Sequence, residues 1–480
     1  FSLSQRTKPF DCRVIFVESN KGLTMSIPQS GGGPVEHYDQ LIHYLSDGCK
    51  PRSDWKVGTE HEKFGFCKDN LKPIPYEGPK SVKSILIGLK DKYDWEPVFE
   101  AGNIIGLVKD GANVSLEPGG QLELSGAPLG NIHETCHEVN THLSQVKDIA
   151  DKIGIGFIGL GAAPTWKHHE MPKMPKGRYR LMTDYMDKVG TMGKVMMYRT
   201  CTVQVNLDFE SEIDMITKMR VAIALQPVST ALFANSPFFE GKITNCKSWR
   251  SRVWRDLDAS RTGTIPFIFE PTFGFERWVN YALDVPMYFV YRDGKYINAL
   301  GQSFRDFLKG KLPALPNELP TLSDWADHLT TIFPEARLKT FIEMRGADGG
   351  PWRSLCALPA FWVGLCYNQS SLDAAYDLVK TWTRETREEL RVEAADKGLN
   401  GKVGNIRISE LAKEVVEIAN EGLKARSIPS YNSKYIDETH FLDEIKEVVD
   451  SERTAADKLI ELYNNDWCGD VSKVFDQHSY

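Results

Sequence analysis

The stretch that decides the fold lies near the start of the chain and reads Gly58-Thr59-Glu60-His61-Glu62-Lys63. The segment around it, Trp55 to Phe66, is predicted to be a β-strand that ends in a glycine-containing turn. Successive side chains of a strand point to opposite faces, so Glu60 and Glu62 share one face and His61 takes the other. The two acids are therefore candidates for a common site, whereas His61 is expected to be structural.

Two further segments place charged side chains on strands in the same way. The first, Ser115-Leu116-Glu117-Pro118-Gly119-Gly120-Gln121-Leu122-Glu123, carries Glu117 before a turn and Glu123 on the strand that follows. In the second, Glu343 and Arg345 are two residues apart and share a face. Several carboxylates are therefore expected on one face of a sheet.

An alternating strand, Thr200 to Phe209, adds the amides Gln204 and Asn206 to this polar surface. Like charges on one face repel each other unless cations or protons neutralise them. Hard oxygen ligands suit Mg²⁺, which binds carboxylates together with substrate phosphates and water. The pattern favours a magnesium site, and the alternative is a solvated polar face.

The remaining pattern predicts a mixture of hairpins and helices. Asn103 to Lys109 and Val114 to Leu116 flank the turn Asp110-Gly111, which is typical of a β-hairpin. Apolar residues at spacings of three and four predict a helix from Ile132 to Ile149, and Met215 to Ala234 is also expected to be helical. Strands interspersed with helices and joined by tight hairpins predict an α+β enzyme with an antiparallel sheet.

The last part of the chain, from about residue 368 to 480, is predicted to be mostly helical. Its amphipathic segments are Ser370–Trp382, Ser409–Leu423, Phe441–Val449 and Thr454–Tyr463.

Composition limits the function classes. The chain has 480 residues, 58 basic and 65 acidic side chains and a formal charge of −7, with 41% apolar and 26% charged residues, as in folded proteins. The acidic balance argues against a nucleic-acid binder, and no apolar run reaches the roughly 18–20 residues of a membrane span. The nine cysteines include no Cys-x-x-Cys pair, so a zinc ribbon or thioredoxin-type motif is unsupported.

Residues 1–34 differ from the rest of the chain. Phe1 to Lys21 is rich in serine and basic residues, and Gly31-Gly32-Gly33 follows. The segment is expected to be disordered, and its composition fits a transit-peptide remnant as well as a simple tail. Because the first residue is not Met, the chain is expected to be a fragment or a processed form.

Three arginines, Arg178, Arg250 and Arg345, are candidate partners for anions. Arginine binds carboxylates and phosphates bidentately, and each of the three also suits an ordinary surface or ion-pair role. The sequence contains no Walker A motif, no Gly-x-Gly-x-x-Gly after a strand and no Gly-x-Ser-x-Gly. P-loop, Rossmann and common hydrolase chemistry are therefore disfavoured.

Four motifs together resemble those of the plant-type glutamate–cysteine ligases. They are Gly58 to Gly65, Ser115 to Gln121, Arg199 to Asp208 and Met344 to Trp352. The likeness extends from about His37 to Tyr480. It implies a glutamine-synthetase-like carboxylate–amine ligase fold, in which helices flank a funnel of antiparallel sheet and residues 35–480 form a single catalytic domain.

The resemblance also implies the first step of glutathione biosynthesis. ATP phosphorylates the γ-carboxyl of L-glutamate, and the amine of L-cysteine displaces phosphate to give γ-glutamylcysteine. Mg²⁺ is the implied cofactor, ATP a substrate and glutathione a feedback inhibitor. Plant enzymes of this type are plastidial and bacterial relatives are cytosolic, so the plastid stroma is expected and the cytoplasm is the alternative.

The resemblance gives the candidate residues roles. The implied metal-site acids are Glu60, Glu62, Glu117, Glu123 and Glu343. The implied substrate contacts are Arg178, for cysteine or the reacting phosphate, Arg250 with its neighbour Trp249, for the glutamate α-carboxylate, and Tyr288, for cysteine. The implied ATP contacts are Arg345, Asn206 and Gln204, and the arginines Arg178, Arg250 and Arg345 are the implied catalytic residues.

Two cysteines gain a role from the same resemblance. Cys136 and Cys356 match a pair that forms a regulatory disulfide in plant enzymes, where monomer–dimer behaviour is linked to redox state. Some family members carry a second pair, which is replaced here by Ala299 and Ala314. The second disulfide is therefore not expected.

Two other functions stay open. A related ligase that joins glutamate to another amine would keep the glutamates and Arg250, but it would need a different pocket near Tyr288 and Arg178. A catalytically inactive regulatory homologue is the other alternative, and the presence of every expected acid speaks against it.

Overall fold

The computed structural model describes residues 31–431 and 434–480. The expectation of a disordered segment at residues 1–34 therefore lies outside the described residues, apart from 31–34. There, Pro34 forms an isolated bridge with Thr321. Within the described ranges, no helix combines the length and apolar character needed to cross a membrane.

An antiparallel sheet forms the centre of the described structure. Its strands are β1 (Val57–Cys67), β2 (Glu96–Glu100), β3 (Asn103–Lys109), β4 (Ala112–Leu116), β5 (Leu122–Ser125), β6 (Ile155–Ile158), β7 (Thr202–Leu207), β8 (Ala336–Leu338) and β9 (Ile342–Asp348). Their order is β8-β9-β7-β1-β5-β4-β3-β2, and β6 pairs with the second half of β1. The predicted antiparallel α+β architecture is confirmed.

The predicted hairpin between β3 and β4 is also confirmed. Asp110 and Gly111 form its turn with φ angles of 49° and 85°. Positive φ at both turn residues suits a two-residue hairpin, and the Asp-Gly pair tolerates it.

Helices surround the sheet. They are α1 (Asp39–Ser46), α2 (Val82–Tyr93), α3 (Ile132–Lys152), α4 (Gly177–Met186), α5 (Gly193–Arg199), α6 (Glu212–Leu232), α7 (Trp249–Trp254), α8 (Phe275–Asp284), α9 (Phe304–Phe307), α10 (Leu322–Leu329), α11 (Trp352–Cys366), α12 (Gln369–Val379), α13 (Arg384–Lys397), α14 (Ile408–Arg426), α15 (Asp443–Ser451), α16 (Ala455–Asn465) and α17 (Lys473–Gln477).

Among the described residues, four short two-stranded pairs lie outside the main sheet. They are Phe238–Phe239 with Lys242–Ile243, Thr262–Gly263 with Phe333–Pro334, Phe289–Arg292 with Lys295–Asn298, and Lys402–Val403 with Ile406–Arg407.

The helical C-terminal part is confirmed, and it contains two helices, α13 and α17, that the sequence pattern did not predict. The four predicted segments correspond to α12, α14, α15 and α16. Helix α13 lies between the first two. Its buried side chains include Arg387, Leu390 and Arg391, so an apolar stripe is missing from its sequence.

The two faces of the sheet have different partners. Val203, Val205 and Leu207 of β7 are buried on the face that α11 covers, while α6 packs against β9. The opposite face carries the polar side chains. Helix α11 in turn packs closely on α14, and glycines make this approach possible. At both Gly364 and Gly422, a Cβ atom would collide with a main-chain oxygen of the other helix.

Candidate active site

The polar face of the sheet forms the floor of a cavity of about 120 Å³. Side chains from β1, β5, β7 and β9 contribute to it, and α4, α7 and the loops around them form its walls. The predicted site residues that line it are Glu60, Glu62, Glu117, Glu123, Arg178, Gln204, Arg250 and Arg345. The sequence alternation therefore brings most of the candidate residues into one space.

Three carboxylates in this cavity lie close together. Glu62 on β1 is directly opposite Glu123 on β5, and Glu117 precedes the turn into β5. One ligand oxygen from each of the three lies within 4.8 Å of the others. This spacing matches what a single hard cation needs from an oxygen donor set.

The electrostatics of these acids favour a cation or protons. Burial, and then the nearby carboxylate of Glu123, raise the pKa of Glu62 to about 8. Burial also raises the pKa of Glu123 to about 8, with Glu117 adding to the shift. Desolvation and like charges both oppose ionisation of these acids. Their ionised form is therefore unfavourable unless a cation lies beside them.

Glu60 lies beside this set and is held by amides from β7. Asn206 Nδ2 donates to Glu60 Oε1 at 2.7 Å, and Gln204 Nε2 donates to Glu60 Oε2 at 3.3 Å. Burial, then the carboxylates of Glu343 and Glu123, raise the pKa of Glu60 to about 8. The Oδ1 atom of Asn206 is buried without a hydrogen-bond partner among the described residues.

Glu343 has a different environment from the other acids. Arg337 donates to both of its carboxylate oxygens at 2.8–3.0 Å, Arg345 also contacts it, and Lys339 Nζ lies 3.4 Å away. Burial alone would raise its pKa, but these cations outweigh burial and lower the pKa to about 2. Glu343 is thus already neutralised by protein side chains, and its role as a metal ligand stays a prediction.

Arginines form the positive part of the cavity. Arg178 comes from the first turn of α4, whose Gly177 main-chain N–H donates to Glu100 Oε1 at 2.6 Å. Arg250 comes from α7, and its Nη2 donates to the main-chain oxygen of Arg345 at 2.9 Å. The Nε atoms of Arg178 and Arg250 are buried without partners among the described residues, which leaves donors for an anion.

A buried acid positions the helix that carries Arg250. Asp348, at the end of β9, accepts hydrogen bonds from the hydroxyls of Ser236 and Ser248, both at 2.7 Å. Ser248 also accepts from the Ser251 N–H as the N-cap of α7. The glycine-rich end of the fourth motif therefore fixes the start of α7.

Two predicted substrate residues lie outside the cavity lining. Tyr288 is fully buried, and its ring packs 3.9 Å from the guanidinium carbon of Arg261. Trp249 packs its ring 5.1 Å from that of Phe239. The predicted direct contacts of Tyr288 and Trp249 with substrate have no counterpart in the described cavity wall.

The cavity also contains residues that the sequence did not single out. Arg337 faces Glu343 across β8 and β9, and the spacing of Arg337 and Lys339 was a usable signal for this. Tyr179 directly follows Arg178, and Trp254 lies four residues after Arg250, but neither belongs to a periodic pattern in the sequence. The methionines that line the cavity, Met182, Met196 and Met197, are indistinguishable from core residues in the sequence.

His61 and the cysteine pair lie behind the sheet. The His61 ring is buried against His142 at 5.5 Å between ring centroids, away from the acids. Cys136 of α3 and Cys356 of α11 form a disulfide, with their Cα atoms 5.5 Å apart. This is the pair that the resemblance implied.

Solved structures define the class to which this fold belongs. A glutamate–cysteine ligase from Francisella tularensis, solved in complex with AMP, matches with a TM-score of 0.53 and 12% identity over 88% of each chain. A bifunctional glutathione synthetase from Pasteurella multocida matches with a TM-score of 0.50 and 11% identity, over 92% of this chain and 53% of the other. The fold is that of the carboxylate–amine ligases.

Sequence comparison gives the family. The sequence model of the glutamate–cysteine ligase family 2 matches residues 56–477. The chloroplastic glutamate–cysteine ligase of Medicago truncatula is 53% identical over 92% of this chain and 84% of its own length. That of Arabidopsis thaliana is 52% identical over 92% and 83%. The chain belongs to the glutamate–cysteine ligase family, and the resemblance to its plant-type members is confirmed.

The same comparisons bear on two further expectations. The family and its named members confirm that the chain is an enzyme of the ligase type. The relatives from Medicago truncatula, Oryza sativa subsp. japonica and Arabidopsis thaliana are all named chloroplastic. These names support the expected plastid location.

Proposed function

We propose that this protein catalyses the ATP-dependent ligation of L-glutamate to L-cysteine in glutathione biosynthesis. A γ-carboxylate oxygen of glutamate attacks the γ-phosphorus of ATP and ADP leaves. The cysteine amine then attacks the carbonyl carbon of γ-glutamyl phosphate, so that the C–N bond forms as phosphate departs. One observation carries the proposal: three clustered carboxylates and two arginines with free donors line the same cavity.

The carboxylate set fits Mg²⁺. Glu62, Glu117 and Glu123 offer hard oxygen donors within 4.8 Å of one another, and the amide-held Glu60 lies beside them. When bound, Mg²⁺ supplies charge neutralisation for these acids and for the phosphoryl group in transfer. Glu343 remains a proposed ligand, but it must first exchange at least one of its three cationic partners.

The arginines are the proposed contacts for the anionic substrates. Arg250 receives the α-carboxylate of glutamate through its buried Nε and the rest of its planar fork, because a bidentate geometry suits a carboxylate. Arg178 receives cysteine or the reacting phosphate. Arg345, with Gln204 and Asn206, faces the nucleotide phosphates. Holding two substrates and a labile acyl phosphate together is a proximity task that a closed cavity serves.

We also propose that the Cys136–Cys356 disulfide regulates activity. The bond joins α3, which packs on β1, to α11, which follows β9. Both β1 and β9 carry acids of the site. Loss of the disulfide is therefore expected to disturb the positions of these acids. A redox-linked homodimer and feedback inhibition by glutathione remain predictions of the resemblance. Size-exclusion chromatography with and without reductant, and glutathione inhibition kinetics, test them.

We propose that residues 35–480 act as a single catalytic domain. The sheet takes strands from residues 57 to 348, and α11 and α14 pack together behind it. Limited proteolysis tests this proposal. If residues 35–480 are one domain, we expect no stable fragment that contains only half of the sheet.

The substrate assignment is tested by ADP release from purified protein given glutamate, ATP and Mg²⁺ with a panel of amines. We expect ADP release that depends on cysteine. ADP release with another amine but not with cysteine would instead support the related γ-glutamyl ligase. No ADP release with any amine, despite ATP binding, would favour an inactive homologue.

A further inference from the structure

Two residues outside the predicted site, Lys176 and Tyr179, hold the loop that carries Glu117. The Tyr179 hydroxyl lies 2.6 Å from the main-chain oxygen of Leu116 and 3.0 Å from Oε1 of Glu117. The Lys176 ammonium donates to the same Leu116 oxygen at 2.9 Å and lies 3.4 Å from the Tyr179 hydroxyl. Both side chains are buried, at 3% and 5% exposure.

These contacts tie α4 to the turn between β4 and β5. Lys176 is the residue that precedes α4, and Tyr179 lies in its first turn. The single proton of the Tyr179 hydroxyl lies between two acceptors, the Leu116 oxygen at 2.6 Å and Glu117 Oε1 at 3.0 Å, while Lys176 gives the Leu116 oxygen a second donor. The Tyr179 hydroxyl, which its contact with Leu116 holds in place, therefore lies within hydrogen-bond distance of one Glu117 oxygen.

We propose that Tyr179 is a positioning residue that orients the Glu117 carboxylate for cation binding, supported by Lys176. The inference rests on the proposed function, which makes Glu62, Glu117 and Glu123 a cation site. Tyr179 acts on the cation through Glu117. Removing the outer hydrogen-bond partner of a ligating group typically weakens metal affinity by about 10–100-fold.

The direct test is Mn²⁺ binding to the purified full chain, followed by the electron paramagnetic resonance signal of free Mn²⁺ with no substrate present. We expect Tyr179→Phe to raise the Mn²⁺ Kd about tenfold. Tyr76→Phe is the matched control, because Tyr76 is a buried tyrosine whose hydroxyl donates to the main-chain oxygen of Ile104 at 3.0 Å. Its Mn²⁺ Kd is expected to equal that of the wild type.

A double-mutant cycle separates positioning from a general loss of structure. In a Glu117→Gln background, Tyr179→Phe is expected to change the Mn²⁺ Kd less than about twofold, because the group it orients is already altered. A further tenfold loss in that background would contradict the inference. If circular dichroism shows that Tyr179→Phe does not fold, Lys176→Arg takes its place. A several-fold higher Kd is expected for that variant, and an unchanged Kd would overturn the inference.

The outcomes distinguish this inference from the proposed function. A wild-type Mn²⁺ Kd in Tyr179→Phe, with normal cysteine-dependent ADP release by the wild type, overturns the positioning role alone. No Mn²⁺ binding by the wild type overturns the cation site and the inference together. Weaker Mn²⁺ binding by Tyr179→Phe supports the inference, whichever amine the enzyme uses.

Discussion

At the residue scale, Arg250 shows how burial prepares a side chain for an anion. Arg250 is 3% exposed, and its Nη2 donates to the main-chain oxygen of Arg345 at 2.9 Å, while its Nε has no partner among the described residues. A buried cation with free donors is costly until an anion fills its fork. The free donors of Arg250 are therefore suited to bind a carboxylate.

Arg250→Lys is expected to raise the KM for glutamate at least about tenfold, because an ammonium cannot make the bidentate contact and a hydrogen bond to a charged group contributes about 1.5–3 kcal/mol. Steady-state kinetics with glutamate as the varied substrate measure this. The control is Arg220→Lys, since Arg220 Nε donates to the main-chain oxygen of Ile268 at 3.0 Å, outside the cavity lining. An unchanged glutamate KM in Arg250→Lys would contradict the clamp.

Glu138 gives a prediction on pH and stability. Burial raises the pKa of its carboxyl from 4.5 to about 7, although the Ala127 N–H donates to it. A raised folded-state pKa stabilises the fold below the unfolded value, and this stabilisation is lost as the pH rises through about 7. A neutral Glu138→Gln side chain avoids that loss.

We therefore expect wild-type protein to lose about 2 kcal/mol of stability relative to Glu138→Gln between pH 5 and pH 8, a value reduced for partial exposure. Urea unfolding at the two pH values measures the difference. Glu414→Gln, at an exposed position of α14, serves as the control for the substitution itself. Parallel pH profiles for Glu138→Gln and the wild type would rule the effect out.

The sequence could predict residues whose position follows from strand alternation. Glu60 and Glu62 share a face because β1 is a regular strand, and Gln204 meets Glu60 through the register of β7. Tyr288 and Trp249 could not be placed in this way. Their positions depend on how α7 and the short pair Phe289–Arg292 with Lys295–Asn298 pack on other elements, and local sequence does not record that packing.

At the element scale, α11 and α14 pack so closely that neither Gly364 nor Gly422 has room for a Cβ atom. A Cβ on Gly422 would lie 1.9 Å from the main-chain oxygen of Gly364, and one on Gly364 would lie 2.2 Å from that of Ala419. Helix α11 carries Cys356 and follows the strand of Glu343, so its position matters for the site.

Gly422→Ala is expected to destabilise the protein by up to about 2 kcal/mol. The collision forces α11 and α14 apart, which costs about 1–3 kcal/mol. Replacing glycine by alanine in a helix gains about 1 kcal/mol in helix propensity, which offsets only part of that cost. Thermal unfolding measures the loss. Gly33→Ala is the control, because a Cβ there meets nothing within 4 Å. A Tm for Gly422→Ala at or above that of the wild type would show that the contact is looser than the structure has it.

Elements with a clear hydrophobic period could be predicted, and the others could not. The apolar stripe of α3 reflects burial of one face, whereas the alternation of β7 separates an apolar face from a polar face, both of which are buried. Helix α13 buries arginines, and α7 has only six residues, so neither carries a period that can be detected.

At the scale of the whole molecule, the disulfide connects distant parts of the chain. Cys136 and Cys356 are 220 residues apart in sequence. Closing so long a loop in the unfolded state costs about 5 kcal/mol of entropy in the chain-entropy model, and measured effects of native disulfides are about 2–5 kcal/mol. The family resemblance, and not spacing, identified this pair.

Cys136→Ser is expected to lower the stability of the oxidised protein by about 2–5 kcal/mol and to remove any response of activity to reductant. Denaturant unfolding and ADP-release assays, each with and without dithiothreitol, measure both effects. Cys246→Ser is the control, because Cys246 is a free buried thiol. If the response to reductant persists in Cys136→Ser, the switch lies elsewhere.

In the proposed reaction, the γ-carboxylate of glutamate is activated by phosphorylation in the cavity and its acyl group passes to cysteine. The most direct measurement uses glutamate labelled with ¹⁸O in both γ-carboxylate oxygens, with ATP, Mg²⁺ and cysteine, followed by mass spectrometry of the released phosphate. We predict one ¹⁸O atom in each inorganic phosphate, formed together with ADP and γ-glutamylcysteine. Unlabelled phosphate, or label in AMP with release of pyrophosphate, would contradict the account.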